Sequence, residues 1–402
     1  RKTVVVGIVD SGADVDCLSL KPVLWTNPKE ILDGKDNDRN GYVDDVHGWN
    51  FLGTKDGKFN MTSAGTEEYR QFKRLFPKYK NVKRAAEVAP TDKAEYAYYV
   101  EMRKKAKIKS YLMFYEVSVQ KQKLMTEMVD LLNHAKIDVD TLTLRGMVQQ
   151  DVADTLTKSA FMQHILTDLY RMPLSTKWND YVKKQRADFA LMEQRIHGIE
   201  HDKDKRLLMG DNMDDASDRF YGNNTLNVEG MEHGNFVAGV VAAVVGDDSR
   251  YSGVWTEARV MPIRVSPDGD EYDKDVASGI RYAVDNGAKI INVSLGKYTS
   301  PNPEMVNEAI AYAAKHNVLI VAAAGNNHLN IDSVSYFPSG VDAAGKPFDN
   351  YIRVGATAMD GSRSSISNYG KTKVDLYAPG EFISGVYPGD KKDFANGTSV
   401  AA

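Results

Sequence analysis

Six short runs of β-branched and aliphatic residues, separated by glycine-bearing turns and helix-like stretches, constrain this chain more than any other feature. They cover residues 3–9, 259–265, 288–295, 317–323, 351–357 and 373–378. Several are nearly continuous in apolar residues instead of alternating, the pattern of strands covered on both faces in a parallel sheet. Helix-like segments at 273–286 and 303–316 fall between them. Strand, helix, strand in that rhythm predicts a doubly wound, mostly parallel α/β layer.

The middle of the chain has a different texture. Residues 62–205 are rich in Lys, Glu, Gln, Met, Leu and Tyr and nearly free of Gly, which is helix composition. At 402 residues the chain is long for one core, so a second unit is expected. The reading is a sheet domain built from 1–61 and 206–402, interrupted by a helical hairpin or bundle at 62–205. Within it, residues 91–135 carry no Pro or Gly. Ile108, Leu112, Tyr115, Val119, Leu124, Met128, Leu131 and Ala135 form a helical stripe there. One unbroken helix over that span would run roughly 65 Å, and segments 146–171 and 177–201 are expected to fold back along it. Its Tyr and Met residues read as core packing.

Composition removes several functions. A net charge of −4, with 42% hydrophobic and 26% charged residues, supplies no field for nucleic acid or anionic lipid. No apolar run of about 18 residues predicts a membrane span, and no signal peptide is visible. The chain starts at Arg1 without a methionine, so an upstream targeting segment would lie outside it. The single cysteine, Cys17, permits no internal disulfide and reads as a buried thiol.

Three distant motifs carry the parts of acyl transfer through a serine. VVVGIVDSG sets Asp10 at the end of an apolar strand, HGNFVAGVVAA sets His233 at the start of a small-residue helix, and NGTSVAA sets Ser399 at a turn into a helix. A serine hydroxyl is a weak nucleophile until an imidazole takes its proton, and a carboxylate must hold that imidazole in one tautomer. In AAAGN, Asn326 offers a side-chain amide to an oxyanion, with the Ser399 N–H as second donor.

In that order, Asp then His then Ser, these motifs resemble the subtilisin-like serine proteases, or subtilases, over roughly 1–55 and 207–402. The resemblance implies a secreted or cell-envelope serine endopeptidase with Asp10, His233, Ser399 and Asn326 as catalytic groups. It further implies that INVSLG aligns an extended peptide or protein substrate through Ser294, Leu295 and Gly296, and that Ala323, Ala324 and Gly325 wall the first specificity pocket. YAPG at 377–380 also resembles a family segment. Three departures stand out. Asn235 and Phe236 replace the Thr and second His of HGTHVAG, Lys297 replaces a second Gly, and the chain stops at Ala402, where a Pro and most of a long helix follow in the family. The rival reading is a catalytically impaired subtilase fold that binds peptides, or a protein partner through the helical insertion.

DGKDNDRNGYVDD adds Asp36, Asp38, Asn40, Asp44 and Asp45 at the early spacing of a calcium loop, with His47 where such a loop ends in Glu. Ca2+ is the cofactor expected, and no organic one. HGIEH, from His197 to His201, matches an inverted zinc-peptidase pattern, but Gly198 is expected to interrupt its helix.

Overall fold

The computed structural model describes residues 3–147, 172–246 and 248–402. They form two compact units, Arg1–Arg70 with Asp204–Ala402, and Gln71–Lys203.

The first unit is built on a seven-stranded sheet of order β2-β4-β1-β6-β7-β8-β9, parallel throughout. The strands are β1 (Val5–Asp10), β2 (Trp49–Asn50), β4 (Arg259–Arg264), β6 (Ile290–Val293), β7 (Leu319–Ala323), β8 (Tyr351–Thr357) and β9 (Leu376–Pro379). Short β3 (Ser63–Gly65) pairs with β5 (Asp268–Gly269), and β10 (Ile383–Tyr387) forms an antiparallel hairpin with β11 (Lys391–Ala395). Alternation along β1 divides the core. Val6 and Ile8 join a cluster with Val237, Ala238 and Ala242 of the helix Glu232–Ala242, whereas Val9 joins Ile280, Ile310 and Ile320 on the other face. That opposite face is covered by the helices Asp273–Asp285 and Pro303–Lys315. The chain runs from β1 outward to β4 and then returns to β6 on the other side of β1. The order therefore reverses at β1, and such a switch point opens a crevice at the carboxyl ends of the strands.

The second unit is helical. Among the described residues its α-helices are α1 (Glu67–Tyr79), which begins in the first unit, then α2 (Lys93–Lys105), α3 (Ile108–His134), α4 (Leu144–Met147) and α5 (Trp178–His201). The predicted single helix over 91–135 is two helices, because Lys107 adopts a left-handed conformation with φ of 54°. Of the expected stripe, Ile108 and Met128 are buried, and Met125 and Leu132 join them; Met125, Met128 and Leu132 pack with Leu144, Met147, Trp178, Tyr181 and Val182. Leu131 is left 45% exposed. Segment 177–201 does lie along α3, while most of 146–171 falls outside the described residues. Tyr79, Tyr99, Met102, Met125, Met128 and Tyr181 are core residues here, with Tyr99 stacked on Phe72 at 5.5 Å, whereas Met113 is exposed. Gly198 does not break α5, which continues to His201. No described helix is long and apolar enough to cross a membrane.

Candidate active site

The carboxyl end of β1 delivers Asp10, and the first turn of α6 (Glu232–Ala242) delivers His233. Their proximity depends on backbone contact: a side chain on Gly234 would collide with the Gly12 carbonyl. The Gly234 N–H instead donates to Ser11 Oγ at 3.0 Å. Across this junction His233 Nδ1 lies 2.8 Å from Asp10 Oδ1, which also accepts from the Ser11 N–H at 2.7 Å. Asp10 is buried and the His233 side chain is 48% exposed, so the imidazole bridges an interior carboxylate to the solvent-facing crevice. The Asp10 carboxylate raises the His233 pKa above its ordinary value, against the opposing effect of desolvation.

The departures around His233 are accommodated by packing. Asn235 is buried, accepts from the Asp14 N–H at 3.0 Å and donates to the Val386 carbonyl at 3.0 Å, joining the loop after β1 to the β10 hairpin. Phe236 is buried against Tyr387, with ring centroids 4.8 Å apart.

Ser399 sits in the first turn of α9 (Thr398–Ala401). Its Oγ donates to the Ser294 carbonyl at 3.2 Å, and Ser294 Oγ donates to the Ser399 carbonyl at 2.8 Å. No hydrogen bond among the described residues joins Ser399 to His233. Asn326, just beyond β7, is fixed by its oxygen: Oδ1 accepts from the Thr398 N–H at 2.9 Å and the Thr398 hydroxyl at 3.0 Å. Its Nδ2 is left without an acceptor among the described residues, 3.2 Å from where a Gly397 Cβ would stand. Thr398 Oγ1 also accepts from the Gly325 N–H at 3.0 Å. Thus Ser294 follows β6, Gly325 and Asn326 follow β7, and all three are tied to the Thr398–Ser399 turn. Leu295 and Gly296 continue the first segment, Ala323 and Ala324 precede Gly325 in the second, and both alanines are buried. Thr398 was not singled out by sequence, although a hydroxyl beside the nucleophile in NGTSVAA is a legible signal.

Lys297 turns away from the crevice. Its Nζ is buried and contacts Glu67 Oε2 at 2.9 Å, Asp273 Oδ1 at 2.9 Å and the Glu271 carbonyl at 2.8 Å. Cys17 is buried, and desolvation, together with Asp390 beside it, pushes its thiol up to about 11. His197 and His201 lie on α5, where Glu200 is engaged with Lys80.

In the acidic loop the structure joins Asp38 and Asp45 with Glu30, whose carboxylate oxygens lie within 4.8 Å of one another. Asp36 and Asp44 serve the loop's own backbone, accepting from the N–H groups of Asn40 and Gly41 and of Asp33 and Gly34. Asn40 directs its Nδ2 to Asp38 and Asp45 at 3.3 and 3.1 Å, while its oxygen accepts from the Tyr42 N–H. Burial pushes the Asp45 carboxyl up to about 6 despite hydrogen bonds from Tyr282, Asn40 and Asn27. Glu30 is 5% exposed, and its Oε2 has no hydrogen-bond partner. Acceptor-only oxygens converging on one point, one of them buried and unpaired, fit a hard divalent cation. Glu30 was not found by sequence because it lies before the motif and reaches the cluster through a turn.

The sequence matches the model of the subtilase family over residues 1–402. The chain is 31% identical to a thermophilic serine proteinase of Bacillus sp. (strain AK1) over 54% of its own length and 49% of that protein. It is 34% identical to thermitase of Thermoactinomyces vulgaris over 45% of this chain and 61% of that one. With a cell wall-associated protease of Bacillus subtilis (strain 168) it shares 30% identity over 64% of this chain and 29% of that protein. It therefore spans less than two thirds of the length of each of these relatives. By the family match over its whole length, together with the parallel sheet that gathers Asp10, His233, Asn326 and Ser399 at one edge, this chain belongs to the subtilase family.

Proposed function

We propose that this chain is a serine endopeptidase that cleaves peptide bonds through an acyl-enzyme on Ser399. The observation that carries the reading is the 2.8 Å contact between His233 Nδ1 and Asp10 Oδ1. With Nδ1–H donated to the carboxylate, Nε2 is the basic nitrogen, the tautomer a general base needs. Rotation of the Ser399 side chain away from the Ser294 carbonyl gives it to His233; catalytic hydrogen bonds often tighten only when substrate is bound. His233 takes the hydroxyl proton as Ser399 attacks the scissile carbonyl, then returns it to the leaving amine. Asn326 Nδ2 and the Ser399 N–H stabilise the oxyanion, and water repeats the sequence to release the acid. The backbone from Ser294 to Gly296 lies beside the nucleophile and offers a substrate strand its pairing groups. The protein acts outside the cytoplasm, a location supported by the cell wall-associated relative.

Glu30, Asp38 and Asp45 are proposed to hold a calcium ion, which would supply structural cross-linking of the loop and no step of the chemistry. The enzyme reading is tested by substitution. Ser399→Ala is expected to lower peptide turnover by about a millionfold and Asn326→Ala by about a hundred- to a thousandfold, the scale of losing the nucleophile of a triad and one oxyanion donor. Undiminished turnover in the Ser399 variant moves the activity elsewhere and removes the reading.

A further inference from the structure

The ladder between β6 and β7 ends at Val293 and Ala322, and the two chains continue as Ser294–Gly296 and Ala323–Gly325 on either side of a slot beside Ser399. What closes that slot is a side chain from outside both segments. A methyl group built on Gly296 would overlap the Tyr336 hydroxyl, and one built on Gly325 would meet Asn368 Nδ2 at 2.5 Å and the same tyrosine oxygen at 2.8 Å. Non-bonded carbon and oxygen need well over 3 Å, so the tip of Tyr336 already occupies the space that a side chain on either wall would enter.

The tyrosine is held there from several sides. The backbones of Lys297 and its neighbour Phe337 pair reciprocally, at 3.1 and 2.9 Å, which fixes the turn carrying Tyr336 beside the first wall. The Tyr298 ring packs on it with centroids 5.2 Å apart, and the Arg353 guanidinium lies 5.6 Å from its ring centre. Ala324, Ile331 and Val374 complete its apolar surround, and Tyr336 is only 6% exposed. Burial keeps the phenol neutral across any working pH. Moving it aside would require repacking a cluster that is close-packed on the face away from the slot.

We propose that Tyr336 determines the substrate class of this site: it fills the far end of the slot between Gly296 and Gly325, so cleavage is restricted to bonds that follow a small residue, glycine, alanine or serine. The proposal rests on the peptidase reading, since the slot is a specificity pocket only if Ser399 attacks the adjoining carbonyl. A phenylalanine ring entering between the two glycines would have to displace the phenol, whereas an alanine methyl stops short of it.

The test compares kcat/KM for two peptide p-nitroanilides that differ only in the residue before the cleaved bond, alanine or phenylalanine. The protein is expected to favour alanine by at least about tenfold, the discrimination that small changes of volume give in a pocket. Tyr336→Ala should raise kcat/KM for the phenylalanine peptide at least about tenfold and reverse the preference, and Tyr336→Phe, which keeps the ring, should retain the preference for alanine. A parent protein that favours phenylalanine overturns the proposal without reference to any variant. So does a Tyr336→Ala protein that is labelled at Ser399 by a fluorophosphonate as the parent is, yet keeps the parent ratio. If neither peptide is cleaved and Ser399 is not labelled, the peptidase reading fails and this proposal falls with it. Cleavage of both with the wrong ratio removes the proposal alone.

Discussion

The oxygen that receives the His233 proton donor is the one atom on which most of the proposed chemistry depends. Asp10 Oδ1 accepts from His233 and from the Ser11 N–H, while Oδ2 is buried with no hydrogen-bond partner. A carboxylate so placed directs its charge at the imidazole, and the Asp10 charge is the largest influence raising the His233 pKa. The sign for activity follows. The base must be neutral, so kcat/KM rises as pH climbs through the His233 pKa, and that acid limb is expected above the ordinary histidine value of about 6.5. Asp10→Asn removes the main raising influence and is expected to move the limb to lower pH, with kcat about ten-thousandfold smaller because the amide does not enforce the tautomer. A pH profile whose midpoint stays fixed in the variant would mean that another group titrates. At this scale the sequence was readable where chemistry demands a residue type. It was silent on Tyr336, because a ring that closes a slot acts through contacts made only after folding.

Elements were legible in proportion to how far local pattern decides them. The apolar runs became β1, β4, β6, β7 and β8 because they are largely buried within the sheet and their β-branched residues suit a pleated surface, whereas the run at 373–378 became the edge strand β9, in which Leu376 and Tyr377 are exposed. The two-residue strand Trp49–Asn50 and the β10 hairpin lack such a run and are held by neighbours, through Ile263 and Arg264 in one case and the α6 helix in the other. The long helix over 91–135 was misread because a single left-handed residue, Lys107, outweighs favourable propensity on both sides. The acidic loop divides its carboxylates by the same logic: Asp36 and Asp44 hold its turns, and Glu30, Asp38 and Asp45 converge. For protein stripped with chelator, added calcium is expected to raise the melting temperature, by the equivalent of about 2.7 kcal/mol at a hundredfold excess over Kd. Glu30→Gln should abolish that increment. Asp44→Asn should lower the melting temperature with and without calcium and leave the increment in place. An increment that survives Glu30→Gln excludes this cluster as the site.

At the scale of the whole molecule, the two chain segments of the sheet unit that flank the insertion meet at one aromatic ring of that unit. The Arg70 guanidinium lies 4.1 Å from the centre of Tyr272 and that of Arg206 lies 5.1 Å from it, so the two junctions are neighbours within the first unit. Composition places the start of the insertion at 62, but the physical tie extends further. Ser63–Gly65 pairs with Asp268–Gly269, Glu67 contacts the buried Lys297 at 2.9 Å, and Glu68 accepts from Thr299 at 2.6 Å. These residues look like the start of a polar helix and are in fact part of the sheet unit's ionic interior. We therefore expect two deletions to behave differently. Replacing 71–203 with a short Gly/Ser linker keeps Arg70, Glu67 and Arg206 in place and should give a protein that unfolds cooperatively and still cleaves a small chromogenic peptide. Replacing 62–205 removes Glu67 from Lys297, leaving a buried ammonium short of one of its two carboxylates, a loss on the order of 3–5 kcal/mol. Thermal denaturation followed by circular dichroism should show the second protein melting well below the first. Adding Lys297→Met to the longer deletion should recover part of the difference, since a buried apolar side chain needs no counter-charge. If the 71–203 deletion cannot fold while its junction residues are all retained, the helices share a core with the sheet and the division into two units is wrong.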